Sequence, residues 1–296
     1  MIARAAIAFS LLASLCPLCL CGESSLELRL PPLSRAHQGK VAIAVKHLGS
    51  GESFYLNADE PMPTASLIKL PVMLELYLQA EAGRVKLTER VTLHQEDKVP
   101  GSGVLTHHFS DGTTFSLRDA CRLMIAVSDN TATNLVLDKI GIEPVNKRME
   151  AWGYPNTKIN AKSFRGSTTS VAPERTKKYG LGSTTAREMV ALLEDLETCK
   201  RCRPVVKQII IGHLRRCDDK DKFPRFLPDD VDIAHKTGSV SKARTDAGIL
   251  YLPSGAVALC VLTDENEDTR WKPDNAGNVL CAKVAKEVYE YYSPKP

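Results

Sequence analysis

Strand-like alternation is confined to the two ends of this chain, and helical spacing fills most of the interval between them. Near the start, "VAIAVKHL" from Val41 and "SFYLN" from Ser53 flank a glycine-containing turn, which predicts a hairpin. Near the end, "VDIAHKTG", "AGILYL" and "AVALCVL" predict three more strands, the last two joined by "PSG". From about Ala65 to about Leu227 the apolar residues recur mostly at helical spacing, and a closing helix is expected from about Asn275 to Tyr292. The simplest packing joins the terminal strands in one antiparallel sheet. The expected fold class is therefore α/β: an antiparallel sheet of N- and C-terminal strands covered by helices, plus an all-α lobe. The closing helix and the helix of about Ala65 to Ala82 are the expected cover. Sites tend to form where two such lobes meet.

Within the middle region, Ser116 and Asp119 form a capping-box-like start to "SLRDACRLMIAVS", and Thr185 with Glu188 forms a second one. "TATNLVLDKIG" and "EPVNKRMEAWG" are two further helices, stopped by Gly141 and Gly153. The stretch from Tyr154 to Gly182 is polar with little periodicity and reads as a long loop, which in a compact domain is usually functional or disordered.

The N-terminus does not belong to this fold. "MIARAAIAFSLLASLCPLCLCG" has an early Arg4, a short apolar run and then small residues, the pattern of a secretory signal peptide over residues 1–22. Residues 23–296 are left as one domain. The expectation is an exported protein, periplasmic or secreted. A lipid on Cys16, Cys19 or Cys21 ranks below this, because none follows the usual small-residue pattern.

Export makes the remaining six cysteines, Cys121, Cys199, Cys202, Cys217, Cys260 and Cys281, candidates for disulfides. Cys199, Cys202 and Cys217 are close enough in sequence for a local bridge. With His213 they also have loosely zinc-like spacing, but thiols in that compartment meet oxidants first, so no metal is expected. Cys121, Cys260 and Cys281 fall in helix and strand patterns, where a core thiol is the default. The net charge of +4 is small and scattered, which argues against a nucleic-acid partner.

Three short motifs fall in order at element boundaries: "SLIK" at Ser66 to Lys69, "SDN" at Ser128 to Asn130, and "KTG" at Lys236 to Gly238. Lys69 stands inside "SLIKLPVML", where a buried ammonium is costly without a partner or a task. Each motif alone has a bland reading, as a helix cap or a strand end; together they are hard to explain by chance. With them, "VPGSGVL" and the surrounding helical segments, the chain resembles the class A β-lactamases and their penicillin-binding relatives over roughly Val41 to Tyr291.

The resemblance implies a serine hydrolase without a cofactor, expected as a monomer, whose partner is a small-molecule substrate: a β-lactam or a peptidoglycan-like D-Ala peptide. The residues carry the chemistry as follows. Ser66 and Lys69 share a helix face, so Lys69 can take the proton from the Ser66 nucleophile if burial and Lys236 lower its proton affinity. Ser128 relays a proton to the leaving nitrogen. Asn130 and the backbone after "KTG" hold the acyl amide. The amides of Ser66 and Ser239 form the oxyanion hole, and Lys236 with Thr237 reads the substrate carboxylate.

Three departures from the family pattern stand out. The loop "KSFRGSTTSVAPERTKKYGLG" lacks the family's Glu-x-x-Leu-Asn; its only glutamate, Glu174, is off the expected spacing and reads as a solvated carboxylate. Met73 stands where the family's bridging cysteine would pair with Cys121. Arg244 is a candidate for the family's carboxylate-binding arginine, with a salt-bridged surface arginine as the equal alternative.

Overall fold

A computed structural model describes residues 25–293. The signal peptide expected over 1–22 lies outside the described residues. Five antiparallel strands form the main sheet, in the spatial order Ser53–Leu56, Lys40–His47, Gly255–Asp264, Ala243–Leu252, Asp232–Val240. The N-terminal hairpin and the C-terminal strands thus share one sheet, as their alternation predicted.

The alternation also assigns the two faces. Val41, Ile43 and Val45 lie with Val257, Leu259 and Val261 against the closing helix, Ala276–Tyr292. Between them, Ala42, Ala44, Ala258 and Cys260 face the helical lobe. The helix that covers this second face is Ala186–Glu197. Lys46 donates to Glu194 at 2.7 Å and the Tyr251 hydroxyl to Glu197 at 2.8 Å. The expected cover, the helix after Ser66, instead runs Lys69–Glu81 through the centre of the helical lobe. It is buried from Lys69 through Tyr77, so it needs neighbours on all sides, which a sheet face cannot supply.

Four other features depart from the sequence reading. A helix spans Leu26–Arg35, although Pro31 and Pro32 argue against one; Leu26 and Leu30, one turn apart, bury against the closing helix. The stretch Tyr154 to Gly182 is not structureless. It holds the helices Gly166–Thr169 and Pro173–Tyr179 and the strands Lys158–Ile159 and Gly182–Thr184, and the second strand also pairs with Met62–Pro63. Thr185 caps its helix, but the Glu188 carboxylate turns to Asn156 and Thr157 instead of closing the box. Finally, the six described cysteines are free thiols. Of the zinc-like set, His213 is engaged elsewhere, in a hydrogen bond with the Tyr77 hydroxyl at 2.6 Å.

The Tyr77–His213 pair gives acid sensitivity to the helical lobe. Burial, then the nearby Arg122, Arg216 and Arg118, hold the His213 imidazole down to about 4 against an ordinary 6.5. The unfolded chain therefore takes up this proton first. The pair's stabilisation is complete above about 6.5 and is lost as the pH falls toward about 4. Urea midpoints of the wild type should drop between pH 7 and pH 4.5 more steeply than those of His213→Gln; equal slopes would show that other groups govern acid unfolding.

Candidate functional site

The cleft lies between the lobes and encloses about 840 Å³. Its centre is the 3-10 turn Ala65–Ile68, which leads directly into the helix from Lys69. Ser66 lines the cleft and is half-buried, whereas its neighbours Leu67, Ile68 and Lys69 are fully buried. Ala65 has φ +47°, a left-handed conformation unusual for a residue with a Cβ. The turn is fixed from both sides. Thr64 donates its N–H to Gly182 at 3.0 Å, and the Thr245 hydroxyl donates to the Thr64 carbonyl at 2.9 Å. The Asp232–Val240 strand runs so close that a Cβ on Gly238 would stand 2.3 Å from that carbonyl.

Lys69 is fully buried and has oxygen partners only: the Ser128 carbonyl at 2.6 Å, Asn130 Oδ1 at 2.9 Å and Ser128 Oγ at 3.2 Å. Burial, then the charge of Lys236, lowers its proton affinity well below that of an ordinary lysine, against a smaller opposing pull from Asp129. Lys236, also fully buried, donates to Ser128 Oγ at 3.1 Å and to the Thr237 carbonyl at 2.8 Å. The Ser128 hydroxyl is thus shared between two lysines, at a residue with φ +55°.

The "SDN" corner divides its labour. Asp129 caps the helix Asn130–Ile140 through Ala132 N–H at 2.8 Å and accepts the N–H groups of Val104 and Leu105 at 2.7 and 2.9 Å. Asn130 lines the cleft, and both ends of its amide are engaged: Oδ1 with Lys69, Nδ2 with the Pro100 carbonyl at 3.1 Å. Its first task in this structure is to hold Lys69.

Thr237 and Ser239 line the cleft, while Lys236 lies behind them and reaches it through Ser128. Arg244 takes neither of its expected roles. It is 1% exposed, donates to the backbone carbonyls of Val240, Ala243 and Arg270, and lies under the Trp271 ring at 4.8 Å, away from the cleft lining and without a carboxylate partner among the described residues. Glu174 sits exposed on the helix Pro173–Tyr179 and does not reach the cleft. The loop presents Ser163 and Phe164 there. Asn134 fixes Ser163 with two backbone hydrogen bonds, at 3.0 and 2.8 Å, and the buried Ser163 hydroxyl has no partner.

The sequence reading missed Asp219 and Lys222, which look like part of a solvated charge run in "CDDKDKF". Asp219 lines the cleft and accepts from the buried Lys222 ammonium at 2.6 Å and from the Asp221 N–H at 3.0 Å. Burial raises its proton affinity, but Lys222 outweighs this and holds the carboxyl at about 2. The i,i+3 spacing was the only sequence signal, and it does not reveal burial.

The arrangement brings the Ser66 and Ser128 residues into one cleft with two buried lysine amines bonded to the Ser128 hydroxyl. Known proteins share this architecture. The profile of the "Beta-lactamase enzyme family" matches residues 25–292. A β-lactamase of Streptomyces fradiae is 28% identical over 277 residues, covering 89% of this chain and 85% of that protein. A β-lactamase structure from Sphaerobacter thermophilus superposes with a TM-score of 0.78 at 27% identity, covering 89% and 95% of the two chains. A PBP-A variant solved as an acyl-enzyme with penicillin G gives 0.78 at 25% identity, covering 91% and 96%.

The close approach at Gly238 yields a direct test. In Gly238→Ala the new methyl must push the strand off the Ser66 turn, and such overpacking costs about 1–3 kcal/mol. The urea midpoint should fall accordingly with far-UV circular dichroism retained; an unchanged midpoint would mean that strand and turn are not held this tightly.

Proposed function

The chain belongs to the β-lactamase enzyme family, and from that premise we propose that it opens β-lactams through a Ser66 acyl-enzyme, with hydrolysis of that ester as the slow step. The observation that carries the first half is the environment of Lys69: full burial beside a second lysine, with oxygen acceptors and no carboxylate among its hydrogen-bond partners. A lysine so placed favours its neutral form and can accept the Ser66 proton.

In this reading the Ser66 oxygen attacks the lactam carbonyl and its proton passes to Lys69. The backbone N–H groups of Ser66 and Ser239 receive the oxyanion, where a single such donor contributes about 3–4 kcal/mol. Ser128 gives its proton to the leaving nitrogen and is resupplied from the lysines bonded to it. Thr237, backed by Lys236, meets the substrate carboxylate. Water then cleaves the ester and frees Ser66. Export, guided by residues 1–22, and a monomeric state belong to the same proposal.

One observation favours a second reading, a penicillin-binding-like acyl-serine protein or D-alanyl-D-alanine peptidase. Asp219 is the only carboxylate among the described cleft-lining residues, and the Lys222 ammonium and the Asp221 N–H occupy it. A carboxylate held at about 2 is a poor base for water.

Mass spectrometry of the protein mixed with penicillin G, followed over time, separates these outcomes. A Ser66 adduct should form quickly and decay slowly. Ser66→Ala should form none, and Lys69→Ala should acylate about 10²–10⁴-fold more slowly. Labelling that persists in Ser66→Ala would sink the mechanism.

Glu174 gives an independent test. Because it is exposed and outside the cleft, Glu174→Gln should leave the deacylation rate of the wild type unchanged. Accumulation of acyl-enzyme in that variant alone would identify Glu174 as the water-activating base.

A further inference from the structure

Two large aromatic side chains stand open at the cleft, and the acylation chemistry uses neither. Phe164 and Trp271 both line it, and they are 66% and 68% exposed. Side chains of this size ordinarily bury most of their surface. Each is held in the open by its surroundings, and by a different segment of the chain.

Phe164 is the third residue of a turn closed by the Arg165 N–H, which donates to the Lys162 carbonyl at 3.2 Å. Its φ is +56°, and positive φ at that place in a turn favours glycine or asparagine. Ser163, the residue before it, is fixed by the two hydrogen bonds to Asn134, so the turn is anchored where it stands. A phenylalanine kept in so disfavoured a conformation at the edge of a cleft argues for a task for its ring. The ring lies over Gly101: a Cβ there would stand 3.0 Å from it and 2.7 Å from Asn130 Nδ2. Phe164 therefore flanks the asparagine assigned to the acyl amide.

Trp271 comes from another segment, the loop before the closing helix. The buried Arg244 guanidinium lies beneath its ring at 4.8 Å and donates to the carbonyl of the preceding residue, Arg270, at 2.9 Å. Asn275 donates to the same carbonyl at 2.9 Å. Arg244 also donates to the carbonyls of Val240 and Ala243, which bound the turn between the strands Asp232–Val240 and Ala243–Leu252. One cation thus ties the Trp271 loop to the end of the strand just beyond Ser239. Val240, next to Ser239, is itself exposed and lines the cleft.

We propose that Phe164 and Trp271 are specificity-determining residues that receive an uncharged aryl substituent on the acyl side of the substrate. This rests on the acyl-serine reading, in which the acyl amide lies between Asn130 and the backbone around Ser239. A substituent on that amide leaves the reacting centre with Phe164 beside Asn130 and with Val240 and Trp271 beyond Ser239. An aryl ring there covers apolar surface that is otherwise open to water. It also finds rings able to make the offset or edge-to-face contacts that aromatic pairs prefer. Because both segments are already tied down, little conformational freedom is lost when the ring binds.

The test compares two penicillins that share the reactive ring: penicillin G, which carries a phenylacetyl group, and 6-aminopenicillanic acid, which lacks it. Adducts are followed by mass spectrometry, and the readout is the ratio of the two acylation rates. In the wild type penicillin G should be faster by about tenfold or more. Trp271→Ala and Phe164→Gly should each lower that ratio several-fold. Glycine accepts the positive φ, so the urea midpoint of Phe164→Gly should hold while its ratio falls, a combination that a merely structural role would not give. Binding is also read without acylation. The chain has two tryptophans, so Trp152→Phe leaves Trp271 as the sole indole. In Ser66→Ala with Trp152→Phe, penicillin G should change the Trp271 emission saturably, and 6-aminopenicillanic acid at the same concentrations should change it less. Wild-type adducts with a ratio unmoved in both folded variants would overturn the inference and leave the acyl-serine reading standing. A ratio unmoved in one of them would overturn the assignment of that residue, and emission unmoved by penicillin G would overturn the contact with Trp271. A saturable emission change in a protein whose wild type is never acylated would contradict the acyl-serine reading and leave Trp271 as an aryl-binding residue.

Discussion

The rest of the site depends on one amine removed from water. Lys69 gives up its hydration and receives three oxygen acceptors within 3.2 Å, two of them from Ser128 and one from Asn130. Isolating an ammonium in such a place costs several kcal/mol, and the group relieves the cost by favouring its neutral form. This requirement explains the surroundings. The apolar helix Lys69–Glu81 must lie at the centre of the helical lobe to bury the amine. The "SDN" corner must turn back to meet it, and the strand carrying Lys236 must close the far side. A carboxylate bonded to Lys69 would raise its proton affinity and undo the arrangement; Asp129, whose charge does act on Lys69, spends its oxygens on the N–H groups of Val104, Leu105 and Ala132.

Two backbone conformations are held against their preference to make this geometry. Ala65, immediately before Ser66, and Ser128, across the cleft from it, both have positive φ, at +47° and +55°. Each costs about 1–3 kcal/mol for a residue with a Cβ, and persists only where surrounding structure determines it. Here those supports are visible. Gly182 and Thr245 clamp Thr64, and Gly238 allows the strand to come into contact; Asp129 caps the helix that follows Ser128, and Lys69 and Ser102 grip the Ser128 carbonyl at 2.6 and 2.8 Å. The long segment after Tyr154 contributes to the same frame, since its strand Gly182–Thr184 pairs with the residues leading into the turn.

What was legible in the sequence follows from the range of the forces involved. The sheet was legible because alternation records which face each side chain meets, and Val41, Ile43 and Val45 against Ala42 and Ala44 state both faces at once. The helices begun by Ser116 and ended by Gly141 were legible because caps are local. The Leu26–Arg35 helix was not, because its two prolines oppose it and only the distant closing helix supplies a surface for Leu26 and Leu30. At the site, Ser66, Lys69, Ser128 and Lys236 could be named from short motifs. The second layer could not. His235 and Asp246 lie eleven residues apart and meet only through the pairing of two strands, while Asp219 and Lys222 look like ordinary surface charges until the segment after Arg215 folds over the edge strand. The place expected of Arg244 in the cleft failed for a similar reason: three backbone carbonyls satisfy it behind the sheet edge.

In the acyl-serine cycle proposed above, the balance between acylation and deacylation is set by where the negative charges are. Forming the ester needs a base that prefers to be neutral, and full burial of Lys69 supplies one. Breaking the ester with water needs a base aimed at the carbonyl from the loop side, and there the chain presents Ser163, a hydroxyl without a partner, and the exposed ring of Phe164. A hydroxyl can hold a water but cannot take its proton at neutral pH. Asp219, the carboxylate that does reach the cleft, is already paired with Lys222, so using it would break that ion pair. In the proposed cycle the buried amines of Lys69 and Lys236 are then the remaining groups in this site able to accept a proton, once the one taken from Ser66 has been passed on. An enzyme that must use the same amines for both halves of its cycle should form its ester faster than it releases it.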